Sequence, residues 1–215
     1  RTEPTAFYLD PVRLVQVPAH ATRIMYASQD AQGRPIAVTG TVLTPTAPWT
    51  GGGERPVISY AVGTQGAADR CAPSRTLSTG VQYEGVGITS LLSRGHAVVV
   101  TDYEGLGTPG THTYMVREAQ AHAVLDAVRA AAQVSGSGVT STAPVALAGY
   151  SQGGGAAAAA AELASDYAPE LDLKGAYVGA PPADLVQVAD RIDGGLYAAF
   201  LLYACLLYTS PSPRD

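Results

Sequence analysis

Residues 144–163 read PVALAGYSQGGGAAAAAAEL, and this stretch narrows the possible folds more than any other in the chain. The apolar run 144–150 has the length and character of a strand buried on both faces, and the alanines that follow Ser151 are strong helix formers. The chain must therefore turn from strand to helix within a residue or two of Ser151. Gly149 and Gly153 flank that turn, where side chains would collide. A serine at such a turn is lifted above the sheet edge, and the N-terminus of the next helix points free N–H groups and the positive end of its dipole at the same place. This is the strand–turn–helix setting of a nucleophile elbow, with Tyr150 before the serine and Gln152 after it supplying the first oxyanion N–H.

The turn admits two other readings. Ser151 could simply cap the helix while the glycines allow close packing. GGGAAA also fits G-x-G-x-x-A loosely, but a dinucleotide site needs an acidic residue at the end of the next strand, and 173–179 ends in YVGAPP.

The rest of the chain alternates in the same way. PVISYAV (56–62), HAVVVTDY (96–103) and LKGAYVG (173–179) read as further strands. Helices are expected at about 81–93 and 114–133, and a short one after APPAD. In the second helix Ala121, Val124, Leu125, Val128, Ala131 and Ala132 fall on one face at helical spacing. RIMYASQD (23–30) and PIAVTGTVLTP (35–45) form a hairpin signal around a Gln-Gly turn, and residues 1–22, with prolines at 4, 11 and 18, read as a surface arm. Strand–helix alternation at this spacing predicts an α/β fold, a mostly parallel sheet with helices on both faces.

Composition excludes several classes. An apolar fraction of 47% and a charged fraction of 14% describe a well-buried chain. A net charge of −5 with no basic run argues against a nucleic-acid partner, and no stretch reaches the length of a membrane span. Two cysteines, Cys71 and Cys205, make no metal-binding spacing, and no metal or cofactor is expected.

A second oxyanion donor should come from the loop AVGTQG (61–66), where Gly63, Thr64 and Gln65 are not separable by sequence. Asp102 and Tyr103, at the end of another strand, are expected to line the cleft. The rest of the machinery is less visible. A serine needs a His to take its proton and a carboxylate to hold that His, in the order Ser, acid, His for this fold. No His follows Ser151; His20, His96, His112 and His122 all precede it and read as structural. Asp184 comes one strand too early for the usual acid.

DRCAPS (69–74), VVVTDYEGLGTPGTHTY (98–114), VALAGYSQGG (145–154) and SDYAPELDLKGAYVGAPPADL (165–185) occur in the order found in the secretory lipase family, α/β-hydrolases related to fungal lipase A, and the chain resembles that family. The resemblance implies an α/β-hydrolase fold and a secreted enzyme that hydrolyses lipids or simpler carboxylic esters, with Ser151 as nucleophile. It implies an inserted cap after the strand 173–179, and a disulfide between Cys71 and a cap cysteine. On this reading 23–204 is a partial hydrolase domain whose acid and His lie outside the chain, and the chain as written is inactive. CLLYTSPSPRD (205–215) looks like a translated sequencing adaptor, so no 71–205 disulfide is expected. The alternative is a non-catalytic binding or scaffold protein on the same fold.

Overall fold

The computed structural model describes residues 1–209, with side chains through 205. The tail expected from Cys205 onward lies, from residue 210, outside the described residues.

Seven strands form one sheet in the order β1-β2-β3-β5-β4-β6-β7. β2 (Ala19–Gln29) and β3 (Pro35–Pro45) are the expected hairpin, paired in register from Ala19↔Pro45 to Gln29↔Pro35. β3 hands over antiparallel to β5 (Ala97–Thr101), and β5, β4 (Val57–Ala61), β6 (Val145–Tyr150) and β7 (Leu173–Gly179) run parallel. Parallel strands buried on both faces require continuous apolar runs, and AVVVT of β5 is buried at every position.

Helices cover both faces. Successive residues on a strand point to opposite sides. Ser59 donates its hydroxyl to the carbonyl of Val124 in α3 (Arg117–Gln133), 2.8 Å away, whereas its neighbour Tyr60 reaches toward Gly87 in α2 (Gly85–Ser93). α4 (Gln152–Tyr167) packs on α3 and spans β6, β7 and β4. Eight of its residues are buried, all of them glycine, alanine or Gln152, so small side chains bring this helix close to the sheet.

Two expectations change. The helix expected at about 81–93 is the shorter α2, and the loop expected before it carries a further helix, α1 (Pro73–Thr79), which Gly80 ends in the left-handed conformation at φ 73°. The N-terminal arm is partly built into the domain. Thr2–Thr5 forms β1, paired antiparallel with β2, and Phe7 and Val17 are buried in the core. After β7 come α5 (Leu185–Ile192), the short helix expected, and α6 (Ala199–Thr209). No helix among the described residues is long and apolar enough to cross a membrane.

Candidate functional site

Ser151 stands between β6 and α4 at φ 56°, ψ −121°, a conformation that disfavours any side chain. Two backbone bonds hold it there. Its N–H donates to the carbonyl of Gly179 at the end of β7 (2.9 Å), and its carbonyl accepts from Gly155 N–H (3.0 Å). The glycines are required by contact. A Cβ on Gly149 would run into the carbonyl of Gly153, one on Gly153 into the carbonyl of Ala61, and one on Gly154 into the carbonyl of Gly179. The Ser151 side chain makes no capping bond to the first turn of α4. Ser151 lines a groove of ≈ 520 Å³.

One wall of that groove is Tyr114–Val116, and the other is α5 and α6, through Leu185, Val188, Ile192, Phe200 and Leu201. Aromatic rings run across it: Tyr114 meets Tyr203 edge-on at 5.8 Å, and Tyr203 stacks on Phe200 at 6.2 Å. Among the described residues the lining is mostly apolar and contains no carboxylate and no imidazole. Such a surface accepts a hydrocarbon chain and leaves Ser151, Gln152 and a few tyrosines as its polar contacts.

Gln152 is the first residue of α4, so its N–H has no partner within the helix. Its side chain is buried and donates through Nε2 to Nε2 of His112 at 3.1 Å. His112 Nδ1 lies 2.9 Å from the carbonyl of Glu104, which can only accept, so the proton sits on Nδ1 and Nε2 is the acceptor. Burial pushes the His112 pKa down to about 4, against the pull of the Glu104 carbonyl, and the ring is neutral at ordinary pH. With both nitrogens engaged, His112 fixes Gln152. Its rings of contact are Tyr103 at 5.9 Å and Tyr114 at 6.1 Å.

The loop after β4 separates the three donor candidates. Gly63 N–H donates to Glu84 Oε1 at 2.7 Å and is not available to an oxyanion, which corrects the expectation for that residue. Gln65 folds back, donating through Nε2 to the Gly63 carbonyl at 3.1 Å. Tyr83 OH donates to the Thr64 carbonyl at 3.3 Å. Thr64 Oγ1 lies 3.0 Å from the hydroxyl of Tyr114 at the groove, and among the described residues the Thr64 N–H donates to nothing.

Asp102 and Tyr103 do not line the groove. Asp102 is fully buried, and its carboxyl accepts Ser74 N–H (2.6 Å), Ser74 OH (2.5 Å) and Thr39 OH (2.7 Å). Burial raises its pKa, opposed by these donors. Tyr103, at φ 63°, turns down into the core and donates its hydroxyl to the Val62 carbonyl at 2.7 Å, pinning the start of the donor loop from below. Asp184 caps α5, accepting from Val186 and Gln187 N–H at 3.0 Å each. His96 packs near Trp49 and His122 stacks on Tyr167 at 4.2 Å; none of the four histidines lines the groove. Cys71 is a half-buried thiol close against Gly66. Sequence reasoning did not single out Glu84 or Tyr114, whose partners lie 21 and 50 residues away. Position in a loop after β5 was the one available signal for Tyr114.

The sheet, the helices on both faces and the elbow are those of the α/β-hydrolase fold. The secretory lipase family profile matches residues 71–209, and the chain belongs to that family. It is 35% identical over 211 residues to a probable inactive lipase of Mycobacterium tuberculosis (strain CDC 1551 / Oshkosh), covering 92% of this chain and 45% of the relative. It is 33% identical over 210 residues to lipase 10 of Candida albicans (strain SC5314 / ATCC MYA-2876), covering 92% and 42%. Among solved structures it is similar to Candida antarctica lipase A in its closed state, with a TM-score of 0.79 and 26% identity over 94% of this chain and 46% of that one. The chain thus spans less than half the length of each of these three proteins.

Proposed function

We propose that the complete protein is an extracellular carboxylic ester hydrolase of lipase type, working through an acyl-enzyme on Ser151. The observation that carries this is a serine held in a strained turn, with its hydroxyl making no capping bond and an apolar groove in front of it. Strain of this kind persists only where surrounding structure imposes it, and it clusters where it serves chemistry. The family's description as secretory lipases supports the location and the reaction class.

Ser151 Oγ attacks the ester carbonyl, whose oxygen becomes an oxyanion received by the N–H groups of Gln152 and Thr64. The C–O bond to the alcohol then breaks, and the alcohol leaves with the proton that Ser151 gave up. Water repeats the attack on the acyl-serine and releases the acid. Each oxyanion donor contributes a factor of about 10²–10³. Among the described residues the groove lining holds no imidazole or carboxylate to take the Ser151 proton, and on this reading the base lies outside that lining. Accordingly we expect the 215 residues alone not to be labelled by a fluorophosphonate probe.

The test is turnover of short- and long-chain p-nitrophenyl esters by the complete protein with and without Ser151→Ala. Equal turnover in both overturns the proposal. The second reading, a non-catalytic protein on this fold, is favoured by the Mycobacterium relative's description as a probable inactive lipase. It predicts no turnover and no probe labelling in the complete wild-type protein.

A further inference from the structure

Glu84 occupies the N-cap position of α2, where an acidic side chain ordinarily accepts N–H groups from its own helix. It makes no such bond. Its Oε1 reaches across to accept the Gly63 N–H in the loop after β4, in a half-buried site beside Tyr60 and Tyr83. Placing a carboxylate here is unfavourable in itself, since burial raises its pKa. A carboxyl group that forgoes its own helix and tolerates burial to hold one loop N–H indicates that the loop's placement matters.

That loop touches the elbow. A Cβ on Gly63 would lie 3.1 Å from the carbonyl of Tyr150, the residue before Ser151. Three polar groups in a row are pinned: Gly63 N–H by Glu84, the Gly63 carbonyl by Gln65, and the Thr64 carbonyl by Tyr83. In a trans peptide the N–H points opposite to its carbonyl. Holding the Gly63 carbonyl to one side therefore turns the Thr64 N–H to the other.

We infer that Glu84 is a positioning residue for the oxyanion site: by taking the Gly63 N–H it fixes the loop so that Thr64 N–H, and not Gly63 N–H, is the second donor opposite Gln152. This rests on the acyl-enzyme reading of Ser151. Glu84 touches no reacting atom and acts through the backbone alone, so what it must supply is an acceptor at a set distance, with its charge secondary.

The experiment uses the complete protein, a soluble short-chain p-nitrophenyl ester, and the variants Ser151→Ala, Glu84→Ala, Glu84→Gln and Glu84→Asp. Glu84→Ala is expected to lower kcat by roughly tenfold or more with KM within about twofold, because a displaced donor weakens only the transition state. Glu84→Gln keeps an oxygen at the same reach and is expected to retain kcat within about threefold of wild type. Glu84→Asp keeps the charge but withdraws the acceptor by one methylene, and is expected to fall with the alanine variant; it makes the same test should Glu84→Ala not fold. Wild-type kcat in Glu84→Ala or Glu84→Asp, a loss confined to KM, or a folded Glu84→Gln as impaired as the truncated variants each overturns the inference. Undiminished turnover in Ser151→Ala removes the acyl-enzyme reading and this inference together. Loss in Ser151→Ala with none in the truncated Glu84 variants removes this inference alone.

Discussion

The side-chain amide of Gln152 donates to Nε2 of His112 across 3.1 Å, in a buried pocket where the other imidazole nitrogen is tied to the carbonyl of Glu104. The bond requires a neutral ring, and burial provides one by holding the His112 pKa down to about 4. Between the ordinary value of 6.5 and about 4, the unfolded chain takes up a proton at this residue that the folded chain refuses. Stability therefore falls as pH drops through that window, and this contribution levels off below it. The loss attributable to His112 is up to about 3 kcal/mol. Urea midpoints from pH 7 to pH 4 should show the slope, and His112→Gln should flatten it. Equal slopes in the two proteins would count against the assignment.

The strain at Ser151 separates stability from activity. Glycine adopts φ 56° without penalty, so Ser151→Gly is expected to stabilise the protein by about 1–2 kcal/mol. Ser151→Ala keeps the strain and loses no capping bond, so its stability should stay within about 0.5 kcal/mol of wild type. Thermal unfolding of both variants checks the ordering, while turnover in the complete protein should be lost in each.

Two glycines two residues apart on α4, Gly153 and Gly155, should respond oppositely. Gly153→Ala drives a methyl group into the carbonyl of Ala61 and is expected to destabilise by about 3 kcal/mol or more, or to prevent folding. At Gly155 a methyl group would sit 3.5 Å from Pro182 Cδ, an ordinary contact. Gly155→Ala should therefore be neutral or stabilise by up to about 1 kcal/mol through helix propensity. Denaturant titration of the two variants side by side is sufficient.

Asp102→Ala leaves Ser74 N–H, Ser74 OH and Thr39 OH without their buried acceptor, and a loss of about 3 kcal/mol or more is expected. Asp102→Asn keeps one acceptor oxygen and lets the hydroxyls rotate, so its loss should be smaller. In the complete protein the asparagine variant should retain turnover in proportion to its folded fraction. Abolished turnover in a fully folded Asp102→Asn would give this carboxylate a direct role.

The parallel strands were legible because burial on both faces leaves a continuous run such as AVVVT, and β7 falls on the residues expected. The tight turn from β6 to α4 was legible because its glycines are dictated by backbone contact. Less was legible where one residue decides the path. The sequence places Asp102 and Tyr103 at the site-bearing end of β5. Whether they rise into the groove or drop beneath it depends on the positive φ at Tyr103 and on Ser74 arriving from α1. Phe7 and Val17 lie in short apolar stretches between prolines, and distant partners bring them onto the domain: β2 pairs with Thr2–Thr5, and the Leu77 carbonyl accepts the Tyr8 N–H. Gly63, Thr64 and Gln65 looked alike in the sequence because the acceptor that takes the Gly63 N–H, Glu84, lies on another element.

The bond from Ser151 N–H to the Gly179 carbonyl has a consequence for how the molecule is made. Gly179 emerges from the ribosome well after the serine it steadies. A nascent chain that already contains the whole turn between β6 and α4 still lacks the contact that completes it, so Ser151 takes its final backbone pose only when the following strand has docked.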